Sequence, residues 1–230
     1  MKSKSQNLNK TEHGKEPLEI FFCLDVSGSM QKIRAETIEA FNAFVKKHNE
    51  VDTEHTTSIT VDLFNTSTTR LWNGTPVSQF EGLSTRNYGP EGQTAMLDSM
   101  GKTISDADKK SAQFRDDFPN VNNGKLNILV TILSDGLENA SREFGFDQIK
   151  KMIQAHVADP MWDIAFLTCN PHAKQMAIHQ LGIPESKVEI FECNARGMRE
   201  SFDKISRAAS EKKLGRKISD DWKETRDETH

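Results

Sequence analysis

Short oxygen-bearing side chains occur at three separated points of the chain. The first has Asp-x-Ser-x-Ser spacing, and residues two apart in an extended segment face the same way, so Asp25, Ser27 and Ser29 can converge. The second is Thr94, in a glycine-containing loop, and the third is Asp135, after a long apolar run. Carboxylates, hydroxyls and water are hard ligands that suit Mg²⁺ or Mn²⁺ and not zinc. The five residues are therefore candidate ligands of one divalent cation.

The strands and helices that must position these residues are indicated by two patterns of apolar residues. Nearly continuous apolar runs predict strands that are covered on both faces. The predicted parallel strands are Ile20–Leu24, Ser58–Phe64, Leu126–Leu133, Asp163–Thr168 and Val188–Phe191. Helical spacings lie between them. The predicted helices cover Ile33–His48, Met96–Ala107, Phe146–Val157 and Met198–Ala209, with a shorter one around Met176 and Leu181.

One further strand completes the predicted sheet. The segment Thr68–Trp72 follows Phe64 too closely for a crossover helix, so it predicts an antiparallel partner across a turn at residues 65–67. The sequence therefore predicts an α/β fold. It is a Rossmann-like, doubly wound, mostly parallel six-stranded sheet, with one antiparallel edge strand and helices on both faces.

One domain is predicted, over residues 18–212. Residues 1–17 predict a flexible N-terminal tail, because this polar segment buries too little apolar surface to offset the entropy of ordering. Residues 213–230 predict a charged C-terminal tail or short helix, which either docks through Ile218 and Trp222 or is loose. The polar stretch Lys109–Lys125 predicts an exposed insertion.

Composition argues against several classes of protein. Thirty basic and thirty-four acidic residues give a net charge of −4, whereas general nucleic-acid binders carry a basic excess. No apolar run approaches the ~20 residues of a membrane span, and the N-terminal residues lack the apolar stretch of a secretory signal. Three well-separated cysteines predict a reduced, cytoplasmic chain. Cys169 and Cys193 follow the last two predicted strands, and we expect them to be unligated thiols, since zinc would need further ligands.

Three segments of the chain reach the sheet edge at which open α/β folds bind ligands, beyond the carboxyl ends of the strands. They are Asp25–Ser29, Gly92–Asp98 and Ser134–Gly136. Their motifs, Asp-x-Ser-x-Ser, Gly-x-Thr-x-x-x-Asp and Ser-Asp-Gly, resemble in order and separation the metal-ion-dependent adhesion site (MIDAS) of von Willebrand factor A (vWA) domains. The resemblance covers essentially the whole predicted domain. It implies the vWA fold and a bound Mg²⁺, with Mn²⁺ or Ca²⁺ as alternatives.

The resemblance also implies a role for each residue. Ser27 and Ser29 would ligate the metal through their hydroxyls, and Thr94 would do so directly or through water. Asp25 and Asp135 would coordinate the ion or hold its bound waters. The vWA threonine loop often reads Gly-Gly-Thr, and this chain departs from that pattern immediately before Thr94, where it has glutamine.

The same residues also have ordinary explanations when they are taken singly. Ser27, Ser29 or Thr94 could cap the helix that follows. Asp135 begins a common Asp-Gly turn. Caps and turns do not require five residues to meet at one sheet edge, so the joint pattern favours a metal site. Asp98, one helical turn after Thr94, is expected to bond neighbouring backbone or hydroxyl groups and not the metal.

A partner-binding rim is predicted on the loop before the threonine. Arg86, Asn87 and Tyr88 could line the metal site and help to choose a partner, because binding residues often lie on loops. The alternative is that Tyr88, the only tyrosine, packs this loop onto the domain.

The function that follows is a protein-binding module and not an enzyme. A partner protein would supply an Asp or Glu to the bound cation, without nucleic acid or membrane, and a monomer is favoured. One alternative is a metal-dependent phosphohydrolase or phosphotransferase. However, haloacid-dehalogenase-like enzymes need an Asp where this chain has Ser27. The other alternative is a structural subunit with a vestigial metal site.

Overall fold

The computed structural model describes residues 16–52, 56–220 and 222. Most of the predicted N-terminal tail, residues 1–15, lies outside the described residues, as do residues 221 and 223–230 of the predicted C-terminal segment. The packed domain begins before the first strand. The Glu16 carboxylate accepts hydrogen bonds from the side-chain amides of Asn122 and Asn127, at 3.0 and 2.8 Å.

The sheet has six strands in the order β3-β2-β1-β4-β5-β6. Their bounds are β1 Leu18–Asp25, β2 Thr57–Phe64, β3 Thr68–Pro76, β4 Asn127–Leu133, β5 Trp162–Thr168 and β6 Val188–Ile190. Every neighbouring pair is parallel except β2 and β3, which form the antiparallel edge. The predicted fold class is therefore confirmed.

Helices cover both faces of the sheet. They are α1 Arg34–Val51, α2 Met96–Asp117, α3 Phe146–His156, α4 Pro171–His179 and α5 Ala195–Lys213. Side chains alternate along the central strand, so Ile20, Phe22 and Leu24 enter the core beneath α1 and α5, whereas Phe21 and Cys23 enter the core beneath α2, α3 and α4. None of the helices in the described part of the chain is long and apolar enough to cross a membrane.

The predicted insertion at Lys109–Lys125 was wrong over its first half, because α2 continues to Asp117. The apolar stripe of the helix does not end at Ala107. Seven residues later Phe114 packs against the second core, whereas Asp108, Lys109 and Gln113 between them are exposed. The chain then turns through Asn122–Gly124, whose three residues have φ of 47°, 54° and 72°.

A segment that we call the C-terminal strap, residues 214–220 and 222, packs against the domain. Two of its three apolar side chains, Ile218 and Trp222, are buried, whereas Leu214 is exposed. Ile218 donates its backbone N–H to Asp163 Oδ2 at 3.1 Å and accepts a hydrogen bond from the Lys187 ammonium. The Trp222 indole donates to the Ser186 carbonyl at 2.6 Å. Of the two alternatives for this segment, the structure favours docking.

We expect a buried histidine on α1 to make folding pH-dependent. Neither ring nitrogen of His48 has a hydrogen-bond partner, and burial, followed by the charge of Lys213, lowers its pKa to about 4. The unfolded chain binds a proton near pH 6.5 and the folded chain near pH 4, so stability is full above 6.5 and falls as pH falls through that window. The loss between pH 7 and pH 5 is expected to be about 2 kcal/mol.

Urea denaturation at the two pH values measures this loss. Carboxylates titrate as well, so the informative quantity is the difference between wild type and His48→Leu. The variant is expected to lose less stability on acidification. An identical loss in both proteins would show that His48 does not cause it.

Candidate metal centre

The two central strands bring two carboxylates to one edge of the sheet. β1 and β4 are parallel neighbours with Leu24 opposite Leu133, so Asp25, at the end of β1, lies beside Ser134, which follows β4. The Ser134 hydroxyl donates to Asp25 Oδ2 at 2.5 Å. Asp135 follows directly, and its side chain is almost completely buried. The strand register therefore places both carboxylates at the carboxyl edge.

The Asp-x-Ser-x-Ser segment folds back over that edge. The backbone N–H of Ser27 donates to Asp25 Oδ1 at 2.7 Å, and the hydroxyls of Ser27 and Ser29 are 3.2 Å apart. The Ser29 hydroxyl donates to Asp135 Oδ1 at 2.6 Å. Four of the five predicted ligands thus form one connected group. Ser27 lies at the N-cap of a short 3-10 helix, Gly28–Ile33, but its side chain makes no capping hydrogen bond.

Thr94 reaches the same point from the loop before α2. A Cβ added at Gly136 would lie 3.1 Å from Thr94 Oγ1 and 3.7 Å from Asp25 Oδ2, so both oxygens face this glycine. Asn139 fixes the Thr94 backbone, since its Oδ1 accepts from Thr94 N–H at 2.9 Å and its own N–H donates to the Thr94 carbonyl at 3.0 Å. Ala95, not Thr94, occupies the N-cap position of α2. The structure therefore brings all five residues together, and neither Ser27 nor Thr94 serves as a side-chain cap.

The two carboxylates of the centre are both buried. Asp25 is fully buried and Asp135 is only 4% exposed. Burial raises the pKa of Asp25 to about 6, against hydrogen bonds from Ser134 and Ser27 that lower it. The second oxygen of Asp135, Oδ2, lies 2.9 Å from the ammonium of Lys32, whose pKa is raised by its hydrogen bond to this carboxylate. Lys32 pairs with only one of the two buried carboxylates, so a further positive charge at this point would be favourable.

The donor set fits a hard dication. Asp25, Asp135 and the three hydroxyls offer only oxygen. Among residues 16–52, 56–220 and 222, no three His, Cys, Asp or Glu side chains group together as they would in a zinc or multi-carboxylate site. A site of two carboxylates supplemented by neutral hydroxyls is therefore the kind of metal site that these residues could form.

The two loops of the centre are fastened to each other. The Asp98 carboxylate accepts hydrogen bonds from the backbone N–H groups of Arg142, Glu143 and Phe144, at 2.9, 2.8 and 2.9 Å. Burial acts to raise the pKa of Asp98, but these hydrogen bonds outweigh it and the pKa is lowered. Glu138 similarly accepts from the N–H of Leu97 at 2.9 Å. Asp98 thus bonds backbone groups, and the loop after β4 is held against the start of α2.

The predicted rim needs one correction. Tyr88 is fully buried, and its hydroxyl donates to the backbone carbonyl of Asp25 at 2.6 Å. It therefore packs its loop beneath the candidate site and is not accessible to a partner. Burial raises the pKa of its phenol. Arg86 is exposed, whereas the half-buried Asn87 accepts hydrogen bonds from Ser84 within its own turn. Arg86 is therefore the one member of the predicted trio with an exposed side chain.

Sequence reasoning missed three contributors to the centre. Ser134 belongs to the Ser-Asp-Gly motif. Its contact with Asp25 could have been predicted from the pairing of the two strands that end at or next to these residues. Lys32 contacts Asp135 because it lies on the 3-10 helix Gly28–Ile33, and the sequence pattern predicts no such helix. Asn139 holds Thr94 through the path of an irregular loop, for which no periodic signal exists.

Comparison with known proteins rests on the fold. No protein-family model and no curated protein matches the chain in sequence. Among solved structures, proximal thread matrix protein 1 from the mussel byssus, with a zinc-occupied MIDAS motif, matches with a TM-score of 0.54 and 14% identity over 85% of this chain and 46% of that one. The manganese-loaded TRAP protein of Plasmodium vivax matches with a TM-score of 0.50 and 16% identity over 81% and 73%. The chain has a vWA-like fold.

Other structures of this kind widen the comparison. The vWA-like chain matches the open conformation of SpaC, a pilus adhesin of Lactobacillus rhamnosus GG, with a TM-score of 0.61 and 11% identity over 86% of this chain and 30% of that one. It spans about half of the mussel protein and 63% of the PilB minor pilin from Streptococcus sanguinis. At these identities the comparisons establish the fold alone.

Proposed function

We propose that this vWA-like domain is a metal-dependent protein-binding module. A divalent cation held by the five converging residues would accept an Asp or Glu of a partner protein as its outermost ligand. The ligands would be the carboxylates and hydroxyls of Asp25, Ser27, Ser29, Thr94 and Asp135. The observation that carries the proposal is their convergence from three distant segments, with Ser29 bonded directly to Asp135.

Mg²⁺ is the metal that we propose, with Mn²⁺ or Ca²⁺ as alternatives. All the available ligands are oxygens, which Mg²⁺ prefers, and three of them are neutral hydroxyls. With only two carboxylates, the bound ion would keep an affinity for a further anion. The zinc-occupied and manganese-loaded states of two structural neighbours are consistent with a divalent cation in this fold.

The surface beside the centre would supply the rest of the interface. A groove of about 390 Å³ runs between the end of β2 and the loop of the exposed Arg86, and it includes Asn65 and Glu91. Its lining is more polar than apolar, which is typical of the rim of a protein interface. We propose that Arg86 contacts the partner there. The partner is a protein and not a nucleic acid or a membrane, the chain is not an enzyme, and it acts as a cytoplasmic monomer.

A peptide-display selection tests the proposal without a known partner. The full chain is immobilised and exposed to a random peptide library in Mg²⁺, and bound peptides are eluted with EDTA. We expect the eluted peptides to be enriched in Asp or Glu, and a Glu→Gln change in a selected peptide to abolish its binding. Peptides that lack acidic residues, or that stay bound in EDTA, would refute the proposal.

Replacement of Lys32 is expected to strengthen metal binding. Its ammonium, on a side chain that is 59% exposed, pairs with Asp135 and so competes with the cation for that carboxylate. Exposed pairs contribute up to about 1 kcal/mol, so Lys32→Met is expected to bind Mg²⁺ up to about fivefold more tightly in calorimetric titration. Lys47→Met, which removes a lysine paired with Asp203 on another surface, is the control and should leave the affinity unchanged. Unaltered or weaker binding by Lys32→Met would contradict the competition.

A further inference from the structure

Two thiols lie beside each other at the ends of the last two strands. The backbone N–H of Phe191 donates to the Thr168 carbonyl at 2.9 Å, so β5 and β6 stay paired up to the residue before Cys169. Cys193 follows two residues after Phe191. The Cys193 side chain is near enough to the Cys169 thiol to contribute to its raised pKa, and both cysteines are free. The strand pairing therefore places two reduced cysteines next to each other at the carboxyl edge of the sheet.

This thiol pair is connected to the metal centre in two ways. Asn170, the residue after Cys169, donates its side-chain amide to the backbone carbonyl of Asp135 at 2.9 Å. Both thiols are also close enough to Lys32 to interact with its charge, and Lys32 pairs with the Asp135 carboxylate. A change of covalent state at the sulfurs would therefore act on the segment that carries a predicted metal ligand.

Two neighbouring free thiols suit disulfide chemistry and not metal binding. No third His, Cys, Asp or Glu joins them to form a metal-binding group within the described parts of the chain. Cys193 is exposed, while Cys169 is half-buried. Burial, and then the neighbouring Cys193, raise the pKa of the Cys169 thiol to about 12, so the exposed sulfur is the one available for a first attack.

We propose that Cys169 and Cys193 form a reversible disulfide by exchange with a small-molecule disulfide, and that this bond regulates the metal centre. The Cys193 thiolate attacks one sulfur of the small disulfide, which forms a mixed disulfide and releases one thiolate. Cys169 then loses its proton and attacks the Cys193 sulfur, which forms the internal bond and releases the second thiolate. The pair is oxidised by two electrons, and the small disulfide is reduced to two thiols. The regulatory part rests on the proposed function.

Mass mapping in glutathione redox buffers tests the disulfide itself. After exposure of the full chain to oxidised glutathione, acid quenching and alkylation, we expect a cross-link between Cys169 and Cys193 that dithiothreitol reverses. Cys169→Ser should stop at a glutathione adduct on Cys193. Cys23→Ser should behave as wild type, because Cys23 is fully buried and burial raises its pKa to about 12. Wild-type protein that stops at the glutathione adduct, or that stays unmodified, would overturn the proposal.

Calorimetric titration with Mg²⁺ in the reduced and cross-linked states tests the regulation. We expect the affinity to differ by at least about threefold between the two states of the wild type, and to be insensitive to oxidant in the double variant Cys169→Ser/Cys193→Ser. A cross-link with unchanged affinity would overturn the regulatory link. If the cross-link formed in a chain that binds no Mg²⁺ in either state, the proposed metal function and its regulation would be refuted. Only the reversible disulfide between Cys169 and Cys193 would then be supported.

Discussion

Mg²⁺ binding is expected to be lost when Ser27 and Ser29 are both replaced by alanine, while the domain stays folded. Changing even the outer partners of metal ligands costs about 10–100-fold in affinity, so removing two direct ligands should weaken binding by more than about 100-fold. The fold should survive because the Ser27 side chain makes no capping hydrogen bond and the Ser29 hydroxyl bonds only within the centre. Calorimetric titration gives the affinity, and thermal unfolding in EDTA gives the stability.

The matched control is Ser210→Ala, on the exposed side of α5, where the hydroxyl bonds the Ser206 carbonyl of its own helix. This variant should bind Mg²⁺ as the wild type does. If the double variant kept wild-type affinity, the converging hydroxyls would not be ligands, and the proposed function would lose its basis. If it unfolded, Ser29→Ala alone would separate the two effects, because Ser27 then remains in place.

Removal of the Asp163 carboxylate is expected to cause the largest loss of stability. Asp163 pairs with Lys212 at 3.2 Å and with Lys187 at 3.7 Å, and it also accepts the backbone N–H of Ile218 in the C-terminal strap. Lys212 is completely buried, and burial lowers its pKa. Asp163→Ala leaves the buried Lys212 without its paired carboxylate. Lys187 then keeps only the exposed Asp220, at 3.9 Å, so we expect a loss of about 3–5 kcal/mol in urea denaturation.

Asp203→Ala is the control for this loss. Its carboxylate pairs with Lys47 at 3.4 Å on the surface, with both side chains more than half exposed, so the expected cost is about 0–1 kcal/mol. The double variant Asp163→Ala/Lys212→Met is expected to recover part of the stability, because it removes one of the unpaired buried charges. Equal losses of stability in Asp163→Ala and Asp203→Ala would show that burial of Asp163 and its two lysines does not add to the cost of removing the carboxylate.

The sequence predicted the sheet well because its strands are covered on both faces. The run from Ile20 to Leu24 is apolar without interruption. This pattern is typical of a central parallel strand. The five candidate ligands were predictable for a related reason, since strand ends in parallel sheets meet at one edge. Helix length was harder, because α2 extends through a polar stretch in which Phe114 is the apolar contact.

What the sequence could not supply depends on tertiary contacts. The sequence leaves Tyr88 with two possible positions, the rim or the interior. It is buried and bonded to the Asp25 carbonyl, a contact that no residue spacing indicates. Burial of Lys187 and Lys212 likewise depends on Asp163, which lies on another element. Composition places lysines on the surface, so buried lysines are found only when their partners are known.

The position of Tyr88 gives this chain a built-in spectroscopic reporter. It is the only tyrosine, and its phenol oxygen is 2.6 Å from the backbone oxygen of Asp25. Isotope labelling of tyrosine would therefore produce a single ring system in an NMR spectrum. Because the ring lies directly beneath the centre, its chemical shifts would report the binding of a cation and of a partner. No tag and no resonance assignment would be needed.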